Sequence, residues 1–97
     1  MIAVAFLYET RDPAAFESAY GSEGDWAQFF AGAPGYIVSE LLRDLEQPGR
    51  YLVIDRWETA EAYNAFIASN RDEYMRRSDE MVSLYVQELR LGSFSSD

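Results

Sequence analysis

The chain contains neither cysteine nor histidine. Without cysteine there is no disulfide framework, no thiolate nucleophile and no Cys-ligated metal. Without histidine the commonest general base, the usual zinc ligand and the proximal haem ligand disappear together. Chemistry must then come from Asp, Glu, Tyr, Arg, Ser or a bound molecule. Positive charge is scarce as well: 8 basic residues face 17 acidic ones, for a net charge of −9. A field of that sign repels nucleic-acid phosphates and anionic lipid heads, so neither is an expected partner. The apolar run from Ile2 to Leu7 lacks a basic flank and is too short for a signal core or a membrane span, so it reads as a strand and a cytoplasmic location is expected.

What is present is one core's worth of apolar chain. Ninety-seven residues at 48% hydrophobic content suffice for a single small domain. Ile2 to Tyr8 reads as a central strand covered on both faces. Asp12-Pro13 supplies an N-cap and a first-turn proline for a helix carrying Phe16 and Tyr20. The helix breaks at Gly21-Ser22-Glu23-Gly24. Asp25 restarts it, with Gln28 at capping-box spacing and Trp26, Phe29 and Phe30 on one side. After Ala33-Pro34-Gly35, Tyr36 to Arg43 and Arg50 to Trp57 form an antiparallel hairpin around Gln47-Pro48-Gly49. Thr59 caps the next helix, which has Glu61 in its first turn and Ala62, Tyr63, Phe66 and Ile67 on its apolar face. Asn70 with Glu73 predicts a further capping box for a piece running to about Met81. Leu84 to Leu91 is the last strand, giving a folded domain over residues 1–92 and a polar tail over 93–97.

The order β-α-β-β-α-β predicts an α+β, ferredoxin-like fold with both helical crossovers on one face of a four-stranded antiparallel sheet. Each strand carries apolar residues at both parities, so the second face also needs cover. Strands of about seven residues at ~3.3 Å rise and ~4.8 Å spacing leave a face on the order of 450 Å², near the largest apolar patch a soluble monomer exposes. A second copy laid face to face, closing an α+β barrel, would cover it.

Gly35-Tyr36 after Pro34, the strand ending in Trp57 and the segment WETAEAY from Trp57 to Tyr63 resemble the antibiotic biosynthesis monooxygenases, a family of dimeric α+β barrels. The resemblance implies a monooxygenase that uses no metal or organic cofactor and acts on a small aromatic or polyketide-like compound held between sheet and helices. In such enzymes an Asn on the third strand, a Trp at its end, a Tyr on the following helix and an Arg further along serve the pocket. Carried onto this chain, the Trp is Trp57, the Tyr is Tyr63 and the Arg is Arg77 or Arg76. The Asn position is Val53, whose side chain cannot hydrogen-bond a substrate carbonyl or an enolate. The haem-degrading branch carries a His ligand near Arg76, which this chain lacks.

If Val53 and Trp57 face the helices, alternation puts Tyr51 and Asp55 there too, and pairing Arg43 with Tyr51 sets Ser39 beside Asp55. Under an aromatic lid Asp55 would be a desolvated base; alternatively Arg43 or Arg77 neutralises it in a structural pair, or a one-residue slip sends it to the dimer face. Trp57 reads either as a core anchor or as a site residue. The Tyr63 hydroxyl needs a partner, which a substrate or a backbone carbonyl would supply. Trp26, Phe30, Phe66 and Tyr74 are the candidate aromatic walls, with the glycine-flanked first crossover as a candidate lid. Glu40 and Arg56 are placed as a cross-strand pair on the dimer face. Besides the monooxygenase, the residues admit a non-catalytic ligand-binding or accessory dimer, or an isomerase or cyclase using the same pocket.

Overall fold

The computed structural model describes residues 1–96. Along the chain run β1 (Ile2–Glu9), α1 (Pro13–Tyr20), α2 (Asp25–Phe30), β2 (Tyr36–Arg43), β3 (Arg50–Trp57), α3 (Ala60–Ser69), α4 (Arg71–Met81), a 3-10 turn (Val82–Leu84) and β4 (Gln87–Ser95). The strands form one antiparallel sheet in the order β2-β3-β1-β4. This is the α+β, ferredoxin-like arrangement, with β1 central as its unbroken apolar run requires. Among the described residues no helix is long and apolar enough to cross a membrane.

The register decides which side chains meet. In β3, Tyr51, Val53, Asp55 and Trp57 are buried beneath the helices, while Leu52, Ile54 and Arg56 point the other way and are half-buried. Val4, Phe6 and Tyr8 of β1 lie opposite Asp55, Val53 and Tyr51 and so share the helix face. Helix α1 locks onto it through Phe16, whose ring stacks on Tyr20 at 4.3 Å and packs on Tyr51 at 5.0 Å. Phe16 and Trp57 are both fully buried, and enclosing side chains of that size contributes about 1.5–3 kcal/mol each.

Helix starts follow the chain's polar signals at two places. Asp12 Oδ1 accepts from the Ala15 N–H at 3.2 Å, and Thr59 Oγ1 accepts from the Ala62 N–H at 3.1 Å. The two expected capping boxes do not form. Helix α2 takes Gly24 rather than Asp25 as its N-cap, and Gln28 donates to the Glu23 carbonyl at 2.9 Å instead of closing on Asp25. Asn70 donates to the Phe66 carbonyl at 2.8 Å, and Glu73 is drawn to Arg76 and Arg77. A carboxylate within reach of two guanidiniums gains more from them than from one backbone N–H.

The glycines of the first crossover work by close approach: a Cβ on Gly24 would sit 2.6 Å from the Ser18 carbonyl oxygen, so the segment is packed against the end of α1. The last strand also differs from expectation. Val82–Leu84 close a helical turn, and β4 runs from Gln87 to Ser95, so Ser93, Phe94 and Ser95 of the expected polar tail pair with Val4, Ala3 and Ile2. Asp97 lies outside the described residues.

Among the described residues, no layer covers the sheet's other face. A row of leucines, Leu42, Leu52, Leu7 and Leu89, crosses all four strands there, with Leu89 49% and Phe94 54% exposed. Arg56 and Glu40 form an ion pair amid these apolar residues.

Candidate active site

Between the helix face of the sheet and the helices lies a cavity of about 320 Å³, within the range of small-molecule sites. Six residues anticipated from the sequence line it: Trp26, Phe30, Val53, Asp55, Tyr63 and Tyr74. Phe6, Tyr8, Tyr20 and Tyr85 complete the aromatic wall. A polar rim is formed by Ser78, Asp79, Glu88 and Arg90.

Asp55 is the most unusual group in this wall. It is only 7% exposed, and no cation lies within ion-pairing distance of it among the described residues. The expected alternatives are engaged elsewhere: Arg43 pairs with Glu17 at 2.7 Å, and Arg77 pairs with Glu73 at 3.1 Å. Among the described residues the one hydrogen bond to its carboxylate comes from Ser39 Oγ, donating to Oδ1 at 2.7 Å. Ser39 and Asp55 are direct partners across the β2–β3 ladder. Desolvation pushes the Asp55 carboxyl up to about 6, with the Ser39 hydrogen bond opposing it.

Tyr63 projects from α3 with its ring edge-on to Trp57 at 5.6 Å. Burial pushes its phenol up, and the Arg90 guanidinium beside it acts in the opposite sense. Burial likewise raises Tyr74 to about 12, helped by the neighbouring Tyr63. At the other end Tyr8 donates to Glu88 Oε2 at 2.6 Å, and burial holds Tyr8 well above the usual phenol range.

Four anticipated residues stand outside the cavity. Trp57 is fully buried behind it, edge-on to Phe30 at 5.6 Å and Tyr36 at 5.3 Å, and its indole N–H has no acceptor among the described residues. Ser39 lies behind Asp55. Phe66 packs edge-on to Phe29 and Phe30 and faces a separate groove beside Pro34 and Gly35. Arg77 lies over the Phe29 ring at 4.6 Å and is tied to Glu73, while Arg76 pairs with Glu73 and Glu80 on the surface. The cation at the cavity is Arg90, 5.9 Å from the Phe6 ring and donating to Ser93 Oγ at 3.1 Å. Its signal in the sequence is Gly92, since a glycine inside a strand marks a bulge that re-aims its neighbours. The β1–β4 register does shift there, between Ala5 and Phe6.

Solved structures of similar fold include SnoaB from Streptomyces nogalater, a cofactor-independent oxygenase. It is 22% identical, with a TM-score of 0.77 over 99% of this chain and 92% of that one. A substituted form of SnoaB gives a TM-score of 0.81 at 23% identity over 98% and 91% of the two chains. The heme-degrader MhuD from Mycobacterium tuberculosis is 20% identical, with a TM-score of 0.63 over 99% and 95%. No curated protein matches. The model of one family, antibiotic biosynthesis monooxygenase, matches residues 26–81. That stretch is more than half of the chain and runs from the aromatic wall of α2 through the Asp55 strand to the end of α4, so the chain belongs to the antibiotic biosynthesis monooxygenase family.

Proposed function

We propose that this protein is a cofactor-independent monooxygenase of a small, electron-rich aromatic compound of anthrone or polyketide type, with Asp55 as the base. The observation that carries the reading is a buried carboxylate without a cationic partner on the wall of an aromatic cavity. Such a group takes a proton near neutral pH and has no salt bridge to break first. Asp55 removes a proton from the substrate's CH₂ or phenol. The resulting anion gives one electron to O₂, leaving a substrate radical beside superoxide. Their recombination forms a C–O bond and a peroxide anion, which takes a proton from Asp55 to give a hydroperoxide. Its O–O bond then breaks with loss of water, so CH₂ and O₂ end as C=O and H₂O. The aromatic walls orient the ring and exclude water.

Val53 leaves the sheet floor apolar where the family has an amide, so the substrate oxyanion needs another donor. Tyr63 O–H and the Arg90 guanidinium are the donors at this cavity that fit the task. Trp57 supports Tyr63 from behind, and Arg77 holds α4 through Glu73. We also propose that the working form is a homodimer closed over the leucine row of the sheet.

Oxygen uptake with 1,8-dihydroxyanthrone tests the reaction. Wild type is expected to turn over in the presence of chelators, with a rate that rises as pH passes about 6, where Asp55 ionises, and then levels. Tyr63→Phe should lower kcat 10- to 100-fold, about 1.4–2.7 kcal/mol of transition-state stabilisation, and Asp55→Asn should lower it further. Equal rates in all three would make both residues structural. The second reading, a non-catalytic ligand-binding dimer, draws on Val53 itself; binding of the anthrone without oxygen uptake would favour it, and isomerised or cyclised product without uptake would indicate the third.

A further inference from the structure

The hydrogen bond from Ser39 to Asp55 does not end at Ser39. Tyr36 Oη lies 2.9 Å from Ser39 Oγ, which lies 2.7 Å from Asp55 Oδ1. Three residues apart on a regular strand, Tyr36 and Ser39 would point to opposite faces. They share one face because β2 bulges: Tyr36 pairs with Trp57 and Val38 with Arg56, leaving Ile37 as the extra residue. Bulges of this kind re-aim side chains beside functional sites. The Tyr36 ring is held edge-on to Trp57 at 5.3 Å and against Phe30 at 5.6 Å. Tyr36 itself is half-buried, whereas Ser39 is 1% exposed.

We infer that Ser39 and Tyr36 are positioning residues that hold the Asp55 carboxylate and carry its proton out of the closed site to solvent. This rests on the reading of Asp55 as the base. An aromatic substrate filling the cavity excludes the water that would otherwise take the proton, and the chain behind Asp55 stays open. With Asp55 ionised, Tyr36 donates to Ser39 and Ser39 to Asp55. After Asp55 has taken the substrate proton, that proton passes to Ser39 Oγ, the Ser39 proton passes to Tyr36 Oη, and the Tyr36 proton passes to water. One proton leaves and each hydroxyl is restored; the peroxide anion formed with O₂ later draws a proton back along the same chain through Asp55, so no net proton is released as CH₂ and O₂ become C=O and H₂O. The charged and titratable groups facing Asp55 do not replace this route. Opposite it on β1 stands Val4; α3 and α4 bring the phenols of Tyr63 and Tyr74, both raised by burial; and β4 brings Arg90 beside Tyr63.

Carbon-13 detection of the Asp55 carboxyl carbon reads its titration directly, without turnover. Ser39→Ala is expected to move the midpoint up by about one pH unit, a tenfold change in proton affinity, and Ser39→Thr, which keeps the hydroxyl, to restore it. Tyr36→Phe should move it the same way by less, because Ser39 loses the donor that polarises it. In oxygen uptake with 1,8-dihydroxyanthrone, Tyr36→Phe should lower kcat several-fold, shift the pH profile upward with the carboxyl and leave KM unchanged. An Asp55 midpoint that moves in neither Ser39→Ala nor Tyr36→Phe overturns the chain. Asp55→Asn with full uptake defeats the reaction assigned above. Asp55→Asn without uptake, alongside Tyr36→Phe with wild-type kcat and profile, keeps the base and removes the relay.

Discussion

At the scale of single residues, Asp55 sets the role proposed for it against stability. Its carboxyl is raised from an ordinary 3.8 to about 6 by desolvation, so the folded state binds the proton more tightly than the unfolded chain. The cost of the buried charge is therefore absent below pH 3.8, grows as pH rises between these two values, and is complete above the higher one. A separation of that size corresponds to about 3 kcal/mol. Asp55→Asn, whose amide oxygen still accepts from Ser39, should stabilise the protein by up to about 3 kcal/mol at pH 8 and change little near pH 4. Urea unfolding at the two pH values checks this; an equal effect at both would mean the carboxyl is not desolvated. The Ser39–Asp55 pairing was one of two registers that the sequence admitted; a one-residue slip would have sent Asp55 to the other face, and the observed ladder, with Ser39 opposite Asp55, decides between them. Arg77 was carried over from the family resemblance, which does not say that Glu73, four residues earlier, holds it away from the cavity. Trp57 illustrates a different limit: position on the helix face does not say whether a ring meets a cavity or the ring in front of it.

Among the elements, the two bulges explain most of what the sequence left unread. Alternation is a rule for regular strands, and it places Tyr36 away from Ser39 and Arg90 away from Ser93. The extra residue in β2 and the irregularity in β4 bring each pair onto the helix face, where both are hydrogen-bonded. Helix order, strand order and the Asp12 and Thr59 caps were legible because each rests on local chemistry repeated over several residues. Gly35 is the point where elements are fitted most tightly. Its φ of +86° favours glycine, its carbonyl accepts from the Glu58 N–H at 2.7 Å, and an added Cβ would lie 2.5 Å from the Ala62 Cβ of α3. Gly35→Ala combines left-handed strain with overpacking and is expected to cost about 2–4 kcal/mol. A fall in the urea midpoint at unchanged m-value is the expected result; a wild-type midpoint would show that α3 can move away from β2 without loss.

For the whole molecule, the one-sided layering bears on the proposed association. Leu42, Leu52, Leu7 and Leu89 form an apolar row on a face that no helix covers among the described residues, and Arg56 with Glu40 supplies a polar mark that would fix the orientation of a second sheet. Light scattering at micromolar concentration should give twice the 11.1 kDa chain mass, and Leu52→Asp should give the single mass with Asp55 still titrating as in wild type. A monomeric wild type would leave the leucine row to solvent and refute the dimer. The rings inside have an optical consequence. Tyr51, Phe16, Tyr20, Trp26, Phe30, Trp57 and Tyr63 follow one another at centroid separations from 4.3 to 6.3 Å, so light absorbed by the tyrosines passes to the two indoles before it is emitted. Trp57, sealed from solvent, reports the fold with blue-shifted emission. Trp26, on the cavity wall, is the indole that a bound quinone would quench, and the protein thus carries its own fluorescent gauge of occupancy.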